Sequence, residues 1–202
     1  ICPFCNHNIR NKTNWLVDIT QVGYIQDHNI SMVGCGEKAR YFASLRYYNQ
    51  KGTTIGTNLD RINTRINLDY IVSEKIKFRS DLSYSYTNND RNFATNLRDV
   101  AYRKMPNMSI FEYDEFGNNS GNYFSPFSNI QGGYSGLDNK GKIIGTVNPV
   151  AMANNATNNI ISQRVTPHFN LNYSILKNLL QATFDVQFDI NNTKNKTFLP
   201  QT

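Results

Sequence analysis

The chain has 202 residues and a formal net charge of +6, enough length for one ordinary domain. It is rich in Asn and Tyr, and no apolar run reaches the ~20 residues of a membrane-crossing helix. Its Lys and Arg are scattered, without the dense basic patch that nucleic-acid binding uses, so a nucleic-acid partner is not expected.

Residues 1–25 form an N-terminal segment that the pattern does not place. It opens with Cys2, Cys5 and His7, the spacing of a zinc half-site or a redox pair. A structural zinc site needs four ligands, and the remaining candidates (Cys35, His28 and His168) fall on or beside expected strands. No metal site and no cofactor is therefore expected. A terminal oddity, or a disulfide formed in an oxidising compartment, fits these cysteines better.

From residue 26 the chain alternates between polar and apolar side chains, the period of a strand with one wet and one apolar face. The alternation is faint over 26–33 and stronger over 39–50, with Tyr41, Ala43, Leu45 and Tyr47 set against Arg40, Ser44 and Arg46. It is clearest over 61–70, where Arg61, Asn63, Arg65, Asn67 and Asp69 interleave with Ile62, Ile66, Leu68 and Tyr70. Over 76–87, Lys77, Arg79 and Asp81 oppose Phe78, Leu82, Tyr84 and Tyr86. Two later copies, 161–175 and 180–190, follow the same rule. Most copies reach the ~9–11 residues that a tilted membrane strand needs.

The connections are unequal. Segments 34–38, 71–75 and 174–178 are short turns, 51–57 is a short loop, and 88–159 is one very long excursion. A compact soluble domain seldom carries a loop beyond ~12–15 residues, whereas outer-membrane barrels combine tight periplasmic turns with long external loops. With the short turns placed in the periplasm, up and down strands alternate consistently. The expected fold is therefore all-β: about six strands of a larger antiparallel transmembrane β-barrel, spanning 26–202, with 88–159 as an extracellular loop carrying short helices. Six strands fall short of the ~8 of the smallest single-chain barrels, so an internal piece of a longer chain is expected. Arg61, Asn63, Arg65, Asn67, Asp69, Lys77, Arg79 and Asp81 would face the lumen, and the apolar stripe would face lipid.

Several strings in these strands and turns are distinctive in their order: Gln26-Asp27-His28-Asn29-Ile30-Ser31, Gly34-Cys35-Gly36-Glu37-Lys38-Ala39-Arg40-Tyr41, Tyr48-Asn49-Gln50-Lys51-Gly52, the run from Arg61 to Tyr70, and Asn148-Pro149-Val150-Ala151. From about Asn14 onward the chain resembles the barrel region of SusC/RagA-type TonB-linked outer-membrane proteins of Bacteroidetes. Cys35 departs from the family turn, which more usually reads Gly-Gly. The resemblance implies import of oligosaccharides or peptides through a large barrel with an internal plug. It also implies a SusD-like surface lipoprotein as lid, and energy from the TonB complex through parts that this chain does not contain.

Within the long loop, 96–104 places Leu97, Val100 and Ala101 on one helical face and Pro106 stops it, while Asn148-Pro149 reads as a capped helix start. Asp114 to Asn118 reads as a hairpin turn with Gly117 at positive φ, rather than as paired catalytic acids with Glu112 and Glu115. Tyr113, Phe116, Tyr123, Phe124, Phe127 and Tyr134 stand among Asn, Ser and Gly, the combination a glycan or peptide site uses, although such rings also serve simply to pack a loop. No nucleophile elbow accompanies the three His residues, so catalytic residues are not expected and the chain does not read as an enzyme. A secreted β-sandwich glycan-binding module and a passive porin are the competing readings.

Overall fold

A computed structural model describes residues 12–91, 94–114, 116–124, 148–176 and 179–198. In chain order the elements are α1 (Trp15–Asp18), β1 (Tyr24–Cys35), β2 (Ala39–Lys51), β3 (Asn58–Ile71), β4 (Ile76–Asp90), α2 (Ala94–Arg103), β5 (Phe111–Tyr113), β6 (Asn119–Tyr123), α3 (Pro149–Asn155), β7 (Thr157–Leu176), β8 (Leu180–Gln187) and β9 (Ile190–Phe198). The long strands form one antiparallel sheet in the order β1-β2-β3-β4-β7-β8, with β9 also on β7, and β5-β6 is a separate hairpin. The sheet is an open wall, which is a segment of a barrel.

The last expected strand, 180–190, is two strands that together run to residue 198. Register is the same on both sides of the break, with His168 opposite Gln187 and Val165 opposite Ile190. The cause is Pro167, mid-strand in β7. Its carbonyl accepts the Phe188 N–H at 3.0 Å, but it has no N–H to return. The ladder therefore skips Phe188 and Asp189 without slipping.

Because the register holds from strand to strand, side chains sort into continuous rows. Asn67 of β3 stands between Phe42 of β2 and Asp81 of β4, and Asp81 faces His168 of β7. One position along, Ile66 stands between Ala43 and Leu82, and Leu82 faces Pro167. One face is thus polar and the other apolar. The apolar face stays open: Ile30 is 71% exposed, Ile66 44% and Phe184 64%. A face this size left bare to water would be an association hazard. Among the described residues, no second sheet packs on it as a sandwich would require.

The hydrophobic core lies instead in a cap above one end of the sheet. Trp15, Ile19, Leu97, Ala101, Val150, Met152 and Ala153 form it, drawn from α1 and its C-cap, α2 and α3. The helix expected at 96–104 begins two residues earlier and buries Leu97 and Ala101 as its spacing requires. Residues 12–23, which the pattern did not place, belong to this cap. The Trp15 indole N–H donates to the Met105 carbonyl at 2.9 Å, and Ile55 N–H donates to the Ile19 carbonyl at 3.0 Å, tying the segment to the loop between β2 and β3.

Asn148 locks the cap. Its side-chain oxygen accepts from the N–H groups of Val150 and Ala151 at 3.1 and 3.3 Å, capping α3 behind Pro149. Its amide donates to the carbonyls of Ile110 and Phe124 at 2.7 and 3.2 Å, gripping both ends of the β5-β6 hairpin. Fully buried, the group uses both donors and both acceptor sites. Asn148→Ala uncaps α3 and strands the Phe124 carbonyl. It should destabilise the cap by roughly 2–4 kcal/mol while leaving the sheet intact. Hydrogen exchange should accelerate over 148–156 and 110–124 but not in β2, β3 or β4.

Candidate functional site

Two surfaces carry functional groups: the polar face of the sheet and the hairpin on the cap. The strand period and shared register bring Arg61, Asn63, Arg65, Asn67 and Asp69 of β3 onto one face with Lys77, Arg79 and Asp81 of β4. Cross-strand pairs neutralise much of that face. Asp69 accepts from Arg79 Nε at 2.6 Å, Asp27 takes Arg46 through two nitrogens, and Asp189 takes Arg164 at 2.9 and 2.7 Å. Ser85 donates to Asn63 at 2.8 Å and Arg65 Nε to Asn67 at 3.3 Å, while Ser83 and Thr166 share a hydrogen bond. These partly exposed pairs each contribute little to stability; they set the chemistry of a hydrated wall.

His168 bridges two carboxylates on this face. Its Nε2 lies 2.7 Å from Asp185 and its Nδ1 lies 3.3 Å from Asp81, and Asn170 donates to the other Asp185 oxygen at 2.9 Å. Three strands converge here, which no local motif announces. Both ring nitrogens meet carboxylates, so neither is left to take a proton from a hydroxyl nucleophile. The cluster places one imidazole between two carboxylates from neighbouring strands.

At the cap, β5 and β6 form the expected hairpin, with Gly117 at φ +84°. Asp114 organises its tip: one carboxylate oxygen accepts the Phe116 and Asn118 N–H groups at 2.9 and 2.8 Å, and the other accepts the Asn118 amide at 3.0 Å. The Asn118 side chain and these backbone donors hold the Asp114 carboxyl below the usual carboxylate range. Phe116 projects from this hydrogen-bonded turn, 86% exposed. The other aromatics divide. Tyr123 stacks on Phe111 with ring centroids 5.4 Å apart and accepts from the Asn154 amide at 3.0 Å. Phe124 is buried at 7% exposure, and Tyr113 is half-buried. Phe127, Tyr134, Glu115, Cys2, Cys5 and His7 lie outside the described residues. Cys35 is a free, exposed thiol, and among the described residues no group of three His, Cys, Asp or Glu side chains is placed to hold a metal.

Comparison with known proteins agrees with this architecture. The chain is 25% identical over 177 residues to a TonB-dependent receptor of Formosa agariphila, a match covering 86% of this chain and 16% of the relative. The RagAB peptide transporter superposes with a TM-score of 0.59 at 17% identity, over 92% of this chain and 20% of that one. The chain is similar in sequence to a TonB-dependent receptor and shares its fold with part of the RagAB transporter. A second structure, the RagAB peptide importer in its closed-closed state, matches at a TM-score of 0.57 and 18% identity, over 91% of this chain and 19% of that one. No family model matches. The chain spans about a sixth of the length of its curated receptor relative.

Sequence reasoning missed one group in the cap, Lys104, because Pro106 identified only the end of a helix. Lys104 is 4% exposed, with its ammonium 5.9 Å from the Trp15 ring centroid, and burial pulls its pKa down from 10.5 to about 8. The unfolded chain therefore keeps this proton longer than the folded cap does, so cap stability rises with pH between about 8 and 10.5 and is flat below. Lys104→Met should abolish that rise. Trp15 is the chain's single Trp, and its fluorescence during denaturant titrations at pH 7 and pH 10 reads the difference directly.

Proposed function

We propose that this chain is wall and external cap of an outer-membrane, TonB-dependent importer of oligosaccharides or peptides. The observation that carries this reading is the two-faced sheet with unequal ends: an apolar face left open along its length, a hydrated charged face behind it, tight turns at one end and a folded cap at the other. In a bilayer the apolar face meets lipid, and the row of Arg61, Asn63, Arg65, Asn67, Asp69, Lys77, Arg79 and Asp81 lines the lumen. The cap then stands outside the cell, where substrate arrives.

Tyr113, Phe116, Tyr123, Phe124, Phe127 and Tyr134 of the 88–159 segment are the proposed substrate contacts, with Phe116 leading because its ring is presented by a turn that Asp114 holds. Tyr123 and Phe124 support it from within the hairpin base. A SusD-like lipoprotein closes over the same side, and the TonB complex acts from the periplasm through parts of the transporter outside this chain. The wall performs no covalent step. Its charged pairs give solute and plug a polar surface that is already satisfied, which keeps passage from being trapped by any one strong contact.

Two substitutions test the wall reading. Ile66→Arg puts a charge mid-strand on the lipid side and should cost roughly 2–4 kcal/mol of stability in a bilayer, whereas Asn67→Arg, one residue away, should be tolerated. Equal effects, measured by folding of the complete transporter into vesicles, would contradict the assignment of faces. For the cap, Phe116→Ala should weaken substrate binding about tenfold, with hydrogen exchange of the hairpin unchanged. Binding that stays at the wild-type level removes Phe116 from the site.

A further inference from the structure

The outer face does not end where its apolar band ends. On the last strand line Leu180, Ala182, Phe184, Val186, Phe188 and Ile190 point one way, and Asn192, Lys194 and Lys196 continue on the same side. From Leu180 to Ile190 the strand rises ~33 Å, which at a barrel tilt of ~40° is ~25 Å of height, the height of a barrel's apolar band. Lys194 and Lys196 then stand ~10 and ~15 Å above the band, within reach of the headgroup layer once their long stems fold back towards it.

The neighbours at this height are polar but differently engaged. Asn159, opposite Lys196, donates to Asn88 and Asp90 at 2.6 and 2.5 Å. Asp60 accepts from Asn49 at 2.5 Å and from Asn58 at 2.8 Å. These carboxylates, on β3 and β4, lie two or more strands away from β9 and are already held by amides. Among the described residues neither Lys194 nor Lys196 has an ion-pair partner, and both side chains are exposed.

We infer that Lys194 and Lys196 form a binding surface for phosphate-bearing lipid headgroups of the outer leaflet, fixing the height and local lipid neighbours of this part of the wall. The inference rests on the membrane-wall reading above, since the same pair on a water-exposed sheet would be ordinary surface charge. Two cations spaced i, i+2 on one strand face project together, so a headgroup carrying two phosphates can meet both at once. The contact is electrostatic and weakens with salt.

The test uses the complete transporter in phosphatidylcholine vesicles containing either bis-phosphorylated lipid A or the same lipid with its phosphates removed. Retention of the labelled lipid is measured after extraction and washing. Wild type should retain the phosphorylated lipid over the dephosphorylated one, and Lys194→Gln with Lys196→Gln should reduce that retention about 30-fold. Equal retention by wild type and the double variant, or equal retention of the two lipids, overturns the inference. So does a double variant that keeps its lipid but loses a protein partner or self-association, because the surface is then a protein interface. Folding into pure phosphatidylcholine vesicles, followed by protease protection, separates the two levels. If the protein inserts there and the lysines make no difference, only this inference fails; if it does not insert into any vesicle, the wall reading fails with it.

Discussion

The antiparallel pairing of β4 with β7 is the contact on which the rest of the molecule depends. All fifteen residues of β4 have a partner on β7, from Ile76 opposite Tyr173 to Asp90 opposite Asn159. These strands are separated by the longest connection in the chain, so the pairing brings the two ends of that excursion side by side and obliges it to fold above the strand ends. It also transmits the polar and apolar parity of β3 to β8. A slip of one residue would turn every side chain beyond β4 to the wrong face.

The cap is organised on a different principle. Its helices are short and bury few residues, so they depend on polar groups with full valence rather than on a large core. Asn148 supplies this at one end, holding α3 and the hairpin base together. Thr13 does similar work at the other: its backbone N–H reaches the Pro106 carbonyl and its hydroxyl the Met108 carbonyl, at 2.8 and 2.6 Å. Such contacts are worth more inside the cap than the charged pairs of the hydrated wall, because a buried amide or carbonyl without a partner is costly. Order in the cap therefore gives Phe116 a fixed position at an exposed tip.

Much of this was legible locally. Alternation marked the strands, Pro149 after Asn148 marked a helix start, and Gly117 after Asp114 marked a turn, because each depends on residues within a few positions of one another. The break opposite Pro167 was not legible, since a missing N–H matters only to whichever strand lies on that side. Nor was the division among the aromatics. Phe116 and Phe124 sit in similar Asn- and Gly-rich surroundings, and loops have no period from which an inward face can be read. The His168 cluster combines residues from β4, β7 and β8, so only register could assemble it.

Sequence alone thus determined which residues are strand, that each strand has one polar and one apolar side, and where the tight turns fall. Those properties follow from backbone geometry and side-chain hydration, both local. Tertiary structure decided which side chains share a row, that residues 12–23 join the cap, and that Phe124 is buried while Phe116 is left outside. Those outcomes follow from pairings between distant strands and from the few buried polar groups that had to find partners, and distance along the chain records neither.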